Sequence, residues 1–252
     1  MHPLLRSILM TLPGGKRYIR LHARSEAHRR FSLAGNTKEV FLKHFEVNSW
    51  GCDESVSGEG STLQYTENIR RMIPEVIKEL GVKNVLDAPC GDFNWFRMIE
   101  WRTRITYLGG DIVAPLVERN QALYGNDTTM FICLDIVNDI LPKADLWLCR
   151  DCLFHLSERD IFLVLNNFIK SDIDYLITST HPNCNLNTDI PTGSYRLLNL
   201  QLPPYRLSNP NRVIDDWIEG YPVRKLAIWT RETVKNDLAS NKDFQRTIRN
   251  HL

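Results

Sequence analysis

The chain has no apolar run approaching the ~20 residues needed to cross a bilayer. Its one hydrophobic stretch near the start, "LLRSILMTL", is too short to span, and no convincing small-residue cleavage site follows it. A soluble, cytoplasmic protein without a transmembrane segment is therefore expected. Net charge is also nearly absent, +1 over 252 residues, so no global field favours nucleic acid, and no interleaved basic and aromatic patch suggests such a partner. Disulfide architecture is excluded on size: six cysteines in a chain with 43% hydrophobic residues belong to an ordinary core, not to a stapled secreted scaffold. Internal repeats are lacking. Finally, the loop "DAPCGDF" has only one glycine where nucleotide-binding loops usually carry several.

What charge there is gathers at one end. Arg6, Lys16, Arg17, Arg20, Arg24, Arg29 and Arg30 meet only Glu26 within the first thirty residues. Residues 1–36 read as a basic arm, either a solvated helix or a weak contact for an anionic membrane surface or an acidic partner. Residues 37–252 read as one domain.

Within that domain the hydrophobic period alternates. Apolar, β-branched runs "KNVLDA", "ITYLGGDI", "TMFICLDI", "ADLWLCRD" and "DYLITST" read as strands. Helical patterns fall at "FNWFRMIE", "APLVERNQALYG" and "SERDIFLVLNNFI". Two further helices precede them: "TKEVFLKHFEV", with Thr37 as the expected N-cap, and "ENIRRMIPEVIKELG", in which Pro74 should kink or restart the helix. Between these two lies a Gly- and Ser-rich loop, 48–66, with the character of a lid. "RVIDDWI" and "VRKLAIWT" suggest an antiparallel hairpin, and a final helix is expected from about Arg231 to Leu252. Strands nearly continuous in apolar residues are buried on both faces. The expected fold is thus α/β: a three-layer αβα sandwich around a doubly wound, seven-stranded, mostly parallel Rossmann-like sheet with an antiparallel C-terminal hairpin.

In such sheets ligands bind beyond the carboxyl ends of the strands. Those ends carry Asp87, Asp111, Asp135, and Arg150 with Asp151. Each acid is equally suited to a turn or N-cap role. Together they suit a ligand with several hydrogen-bond donors: Asp111 for ribose hydroxyls, Asp135 for an exocyclic amine, Asp87 for the loop backbone or an ammonium group. Asp87 and Asp92 flank the turn and leave only Gly91 without a side chain, which disfavours pyrophosphate and favours a zwitterionic, cationic ligand.

These residues resemble the class I S-adenosylmethionine-dependent methyltransferases, whose first loop has the form acid-x-Gly-x-Gly-x-Gly and whose second and third strands end in acids. "DAPCGDF" departs from that form, with Pro89 and Phe93 in place of glycines. It is similar to a bacterial branch with "DAPCGDFNW", matched further by "WGCDESVSGEGST", "CRDCLFHL" and "NTDIPTGSYRLLNLQLPP", over about 41–229. The resemblance implies S-adenosyl-L-methionine as cofactor. It would be held by the loop Asp87, Ala88, Pro89, Cys90, Gly91 and Asp92, by Asp111 with Ile112, by Asp135 with Ile136, and by Arg150 and Thr62. It also implies that Ser61 and the insertion 181–211, through Asn187, Asp189, Arg196 and Asn199, wall the pocket of a small polar acceptor such as a sugar or glycan precursor.

If the chain after Asp151 is helical, Asp151 and His155 lie on one face and can share a proton, with His155 as base; a structural histidine is the alternative. Arg150 suits a salt bridge or an anionic acceptor. Phe93 and Trp95 either pack the next element or border the cofactor. Cys149, Cys152, His181 and Cys184 are acceptable zinc ligands by type, but one Cys-x-x-Cys is a weak signal, and no metal is expected. A catalytically silent cofactor-binding protein is the rival of another class, and a nicotinamide-dependent oxidoreductase a lesser one.

Overall fold

Seven strands are present in the computed structural model, which describes residues 36–251: β1 (Asn84–Asp87), β2 (Thr106–Asp111), β3 (Thr129–Cys133), β4 (Leu146–Cys149), β5 (Tyr175–Thr180), β6 (Arg212–Asp215) and β7 (Lys225–Thr230). They form one sheet in the order β3-β2-β1-β4-β5-β7-β6. The first five strands are parallel. β7 enters antiparallel between β5 and β6, so the expected hairpin forms with its second strand on the inside. Because β7 runs backwards, its first residues sit at the same edge as the last residues of β1 to β5.

The apolar runs are continuous because both faces are covered. Successive residues of β4 turn to opposite sides, Leu146 and Leu148 to one core and Trp147 and Cys149 to the other. On one face lies α2 (Glu67–Glu79), whose Ile69, Ile73, Val76 and Ile77 are buried at helical spacing. On the other lies α4 (Glu158–Lys170), started by Ser157, whose hydroxyl accepts the Asp160 N–H at 3.2 Å. α3 (Ala114–Tyr124) covers β2 and β3. This is the three-layer arrangement expected from the sequence.

Four local expectations are corrected. α1 (Thr37–Glu46) is capped by Asn36, not Thr37: the Asn36 side chain accepts the Glu39 N–H at 3.0 Å. α2 runs as one helix through Pro74, which is buried in the core, so no second helix starts there. "FNWFRMIE" is no helix but a single 3-10 turn at Phe96–Met98, because Phe93 takes a left-handed φ of 59° and buries its ring against Phe96, Tyr107, Tyr124 and Phe131. The closing helix is two, α5 (Arg231–Ala239) and α6 (Lys242–Arg249), separated by Asn241, whose side chain accepts the Asp243 and Phe244 N–H groups.

The basic arm lies outside the described residues, apart from Asn36. Among the described residues, no helix is long and apolar enough to cross a membrane.

Candidate active site

At the carboxyl end of the sheet the chain leaves β1 into the loop 87–92. Asp87 is buried and accepts the Tyr107 hydroxyl at 2.9 Å. Burial pushes its carboxyl up to about 8, against the opposing pull of the Tyr107 bond and of Arg150. Asp111, at the end of β2, is pushed by burial to about 6. Its two oxygens accept the Val113 N–H at 3.0 Å and the Gly91 N–H at 3.1 Å, tying the loop to the neighbouring strand. Gly91 itself has φ +56°, and a Cβ there would collide with the Ser57 hydroxyl. Glycine is required at this one point of the loop. Asp135, just past β3, caps its own turn, accepting from the Val137 N–H at 2.9 Å and the Asn138 amide at 2.8 Å.

These acids face a cavity of about 890 Å³, within the range of small-molecule sites. The structure brings together around it Asp87, Pro89, Cys90, Gly91, Asp111, Ile112, Asp135, Ile136, Arg150, Asp151, His155 and Ser61. The remaining sequence candidates do not line it. Ala88 is fully buried, its C=O accepting the Trp147 indole N–H at 2.9 Å. Asp92 points to the lid, accepting the Ser55 hydroxyl and the Val56 N–H, both at 3.0 Å. The Thr62 hydroxyl turns back to the Glu59 carbonyl at 2.9 Å.

The four insertion residues also serve the fold instead. Asp189 accepts the Glu158 N–H at the start of α4, at 2.7 Å. Arg196 donates to the Leu156 carbonyl at 2.6 Å. Asn187 donates to the Asn199 and Pro203 carbonyls, each at 2.8 Å, and Asn199 accepts the Gln201 N–H at 3.0 Å. A long segment without helix or strand has many backbone groups to satisfy, and these side chains supply the partners. The insertion reaches the cavity through His181 and Tyr195 instead.

The shared proton of Asp151 and His155 is the largest correction. The chain after Asp151 forms only a 3-10 turn, Leu153–His155, and Asp151 has a left-handed φ of 57°. Its carboxylate accepts from Arg224 Nη1 at 2.7 Å. Arg150 in turn grips Asp216 with two bonds, at 3.0 and 2.8 Å, and donates to the lid at the Gly60 carbonyl, at 2.6 Å. Arg224 Nε lies 3.0 Å from the same Asp216. Two arginines and two aspartates thus form a buried, charge-balanced cluster beneath the lid. Gly60 lies so close that a Cβ would meet the Asp151 carboxylate. Asp216 and Arg224 escape the sequence reading, though the rule of strand ends reaches them: Asp216 follows β6, and Arg224 precedes the reversed β7.

The histidines are set in opposite tautomers. Ser194 offers a carbonyl 2.8 Å from His155 Nδ1, so that nitrogen carries the proton and Nε2 is the basic one. His181 Nδ1 accepts the Leu198 N–H at 3.2 Å, so its proton sits on Nε2. Burial lowers both below the ordinary histidine value, His181 to about 4, and keeps them neutral at pH 7. Trp95 lines the cavity, with the Arg150 guanidinium 5.1 Å from its ring, whereas Phe93 is core. Among the described residues no group of three or more His, Cys, Asp or Glu is arranged to hold a metal. Cys149 is inside β4, and the Cys184 thiol lies 3.5 Å from the Leu197 carbonyl.

No protein-family model and no curated protein matches the sequence. Solved structures do. Magnesium protoporphyrin IX methyltransferase (ChlM) from Synechocystis PCC 6803, with bound SAM, matches with a TM-score of 0.53 at 18% identity, over 77% of this chain and 97% of that one. The methyltransferase domain of bacterial CtHen1-C matches with a TM-score of 0.51 at 14% identity, over 66% and 98%. The fold is that of the S-adenosylmethionine-dependent methyltransferases. At these identities the likeness is one of backbone architecture, and the chemistry has to be argued from the side chains above.

Proposed function

We propose that the chain is a class I methyltransferase that takes a methyl group from S-adenosylmethionine to a small-molecule acceptor. The observation that carries this reading is the acidic rim: Asp87, Asp111 and Asp135 at three successive strand ends around one glycine-pinched loop. A pyrophosphate would meet carboxylates there. A cation bearing hydroxyl and amine donors meets acceptors. Gly91, the one residue of the loop without a side chain, lines the same cavity.

When bound, S-adenosylmethionine supplies a methyl group already activated by its positive sulfur. The protein's own task is then alignment and exclusion of water. Asp111 is placed at the strand end where ribose hydroxyls are held in related sheets. Ile112 and Ile136 give an apolar face for a base. The lid 48–66 closes the site from above, fastened through Asp92 and Arg150. If the acceptor is a hydroxyl, His155 Nε2 is suited to take its proton. Asp151 is not, because it is committed to Arg224.

Titration calorimetry with S-adenosylmethionine and S-adenosylhomocysteine tests the reading. Both should bind, and Asp111→Ala should weaken both by tenfold or more. Absence of binding by the parent protein would refute it, and binding of a nicotinamide dinucleotide instead would restore the oxidoreductase.

A further inference from the structure

In the cluster beneath the lid, three of the four charged side chains are sealed. Arg150 and Arg224 keep 3% and 6% of their surface and Asp216 none, whereas Asp151 keeps 23%. Asp151 also has bonding capacity to spare. Its Oδ1 accepts from Arg224 Nη1, but among the described residues Oδ2 accepts no hydrogen bond, and Arg150 Nη1 lies 3.8 Å from it. Oδ2 is not one of the polar atoms that are both partnerless and shut away from solvent, so it opens on the cavity that Asp151 lines. The backbone here is held in an uncommon state. Asp151 has a left-handed φ of 57°, and its N–H is tied to the Ser179 hydroxyl at 3.0 Å. Such conformations persist where the surroundings enforce them, and they cluster at sites that handle ligands.

The walls decide which charge fits. Among the described residues, Glu59, Asp87, Asp111, Asp135 and Asp151 line the cavity against Arg150 and Arg224. Arg150 already serves the buried Asp216. The partnerless nitrogen of Arg224, Nη2, is shut away from solvent. An anionic acceptor therefore finds no open cation among the described residues. A positive group finds Asp151 Oδ2, and in the same cavity the rings of Phe154 and Tyr195, 5.6 Å apart, whose faces also attract cations. The acids proposed for the cofactor follow β1, β2 and β3. Asp151 follows β4, on the other side of β1 in the sheet, toward the insertion.

Resting on the methyltransferase reading, we propose that the acceptor is an amine whose nitrogen sits at Asp151 Oδ2, where a fixed carboxylate faces the positive charge that the transfer delivers. The amine reacts as its free base, its proton left in solvent beforehand. Its lone pair forms a bond to the methyl carbon, and the carbon–sulfur bond breaks with its electron pair going to sulfur. The positive charge leaves sulfur and arrives on nitrogen as an N-methylammonium, which gives up a proton to solvent after release. No protein group has to take a proton during the step. A preorganised opposite charge is what such a transition state uses. Arg224 and Arg150 hold the Asp151 carboxyl below the usual carboxylate range, so it stays an anion throughout and is a poor base. A hydroxyl acceptor gains less from it, because a hydroxyl needs its proton taken. The small polar acceptor expected from the sequence is thereby narrowed to one with an amino group.

The experiment uses the full chain and begins with calorimetry of S-adenosylhomocysteine. S-adenosylhomocysteine release from S-adenosylmethionine is then followed at about pH 9, where alkylamines are partly free base. The probes are matched pairs: phenethylamine against 2-phenylethanol, and glucosamine against glucose. The expected result is turnover of an amine and of neither alcohol. Asp151→Asn should lower kcat by about 10²–10³, with S-adenosylhomocysteine affinity kept within about threefold, and Asp151→Glu, which keeps the charge, should recover part of the loss. Alcohols turned over as well as the amines, no amine product from protein that binds S-adenosylhomocysteine, or amine turnover indifferent to Asp151→Asn would each overturn the amine acceptor and leave the cofactor reading standing. So would a folded Asp151→Asn protein that has lost S-adenosylhomocysteine, since Oδ2 would then belong to the cofactor's ammonium group. If Asp151→Asn does not fold, the parent saturated with S-adenosylhomocysteine decides. N-methylphenethylamine should bind it at least tenfold more tightly than the neutral 2-phenylethyl methyl ether, and equal affinity would overturn the proposal. Failure of the parent to bind S-adenosylhomocysteine would overturn both readings.

Discussion

Asp151 and Arg224, 73 positions apart in the chain, meet at 2.7 Å beneath the lid. Burial alone would raise the Asp151 carboxyl, but Arg224 and Arg150 outweigh it and hold the group below the usual carboxylate range. It is a fixed anion. Removing the guanidinium strands that charge in a place from which water is largely excluded, while Asp216 keeps its two bonds from Arg150. Arg224→Met is therefore expected to cost about 3–5 kcal/mol of stability, the usual penalty for breaking a buried pair from one side. Urea unfolding reads this as a lower midpoint at unchanged slope, and a variant as stable as the parent would show that the cluster adds nothing net.

The two raised carboxyls make ligand binding depend on pH. Asp87, pushed by burial to about 8, is mostly protonated at pH 7 in the free protein, while Asp111, at about 6, is mostly ionised. A bound sulfonium favours the ionised forms of both. Affinity for S-adenosylmethionine should then rise as pH goes from about 6 to 8, with protons released on binding, seen by calorimetry in buffers of different ionisation enthalpy. S-adenosylhomocysteine, with an uncharged sulfur, should show the smaller slope. The stability of the free protein runs the other way. The unfolded chain loses the Asp87 proton near 3.8 and the folded one keeps it, so this contribution is full below that pH and is lost as pH rises through about 8. Asp87→Asn should flatten both dependences.

The inner strands β1, β2, β4, β5 and β7 are legible as apolar runs because burial on both faces leaves little room for polar residues, whereas the edge strands β3 and β6 keep exposed positions. The acids at Asp87, Asp111 and Asp135 are legible because a parallel sheet delivers its strand ends to one edge. The failures are of a different kind. At residues 93–100 a helical pattern yields to the packing of Phe93 among four other rings, which no local period encodes. Asp216 and Arg224 reach the site only because β7 slots between β5 and β6, a choice of neighbour rather than of local structure. Asn187, Asp189, Arg196 and Asn199 look like ligand-binding residues, but the carbonyls and N–H groups they satisfy become apparent only once the insertion is folded. The tautomers of His155 and His181 likewise depend on single backbone groups, those of Ser194 and Leu198.

Asp92 joins the cofactor loop to the lid, taking the Ser55 hydroxyl and the Val56 N–H at 3.0 Å each and the Asn94 N–H at 3.3 Å. Hydrogen bonds to a charged acceptor contribute about 1.5–3 kcal/mol each. Asp92→Ala should loosen the lid while the sheet stays intact. Amide exchange at Val56 should speed up by at least an order of magnitude, with exchange in β1 and β4 unchanged and S-adenosylmethionine bound more weakly. Undiminished protection at Val56 would mean that the lid is held elsewhere, by Arg150 on Gly60.

His155 gives the sharpest test of chemistry. Burial lowers its pKa, with Asp151 and the Ser194 carbonyl pulling the other way, and the ring is neutral with its lone pair on Nε2. For a hydroxyl acceptor, kcat should rise with pH through this lowered value and level off below the ordinary histidine range. His155→Gln should remove that acid limb and cost about 10²–10⁴ in kcat, the usual span for a general base. S-adenosylhomocysteine affinity should stay within a factor of two or so, since the loop after β1 is untouched. If the limb persists in the variant, the proton goes elsewhere. If kcat is unchanged, the acceptor reaches the methyl already ionised, and His155 only shapes the aromatic wall with Trp50 and Phe154.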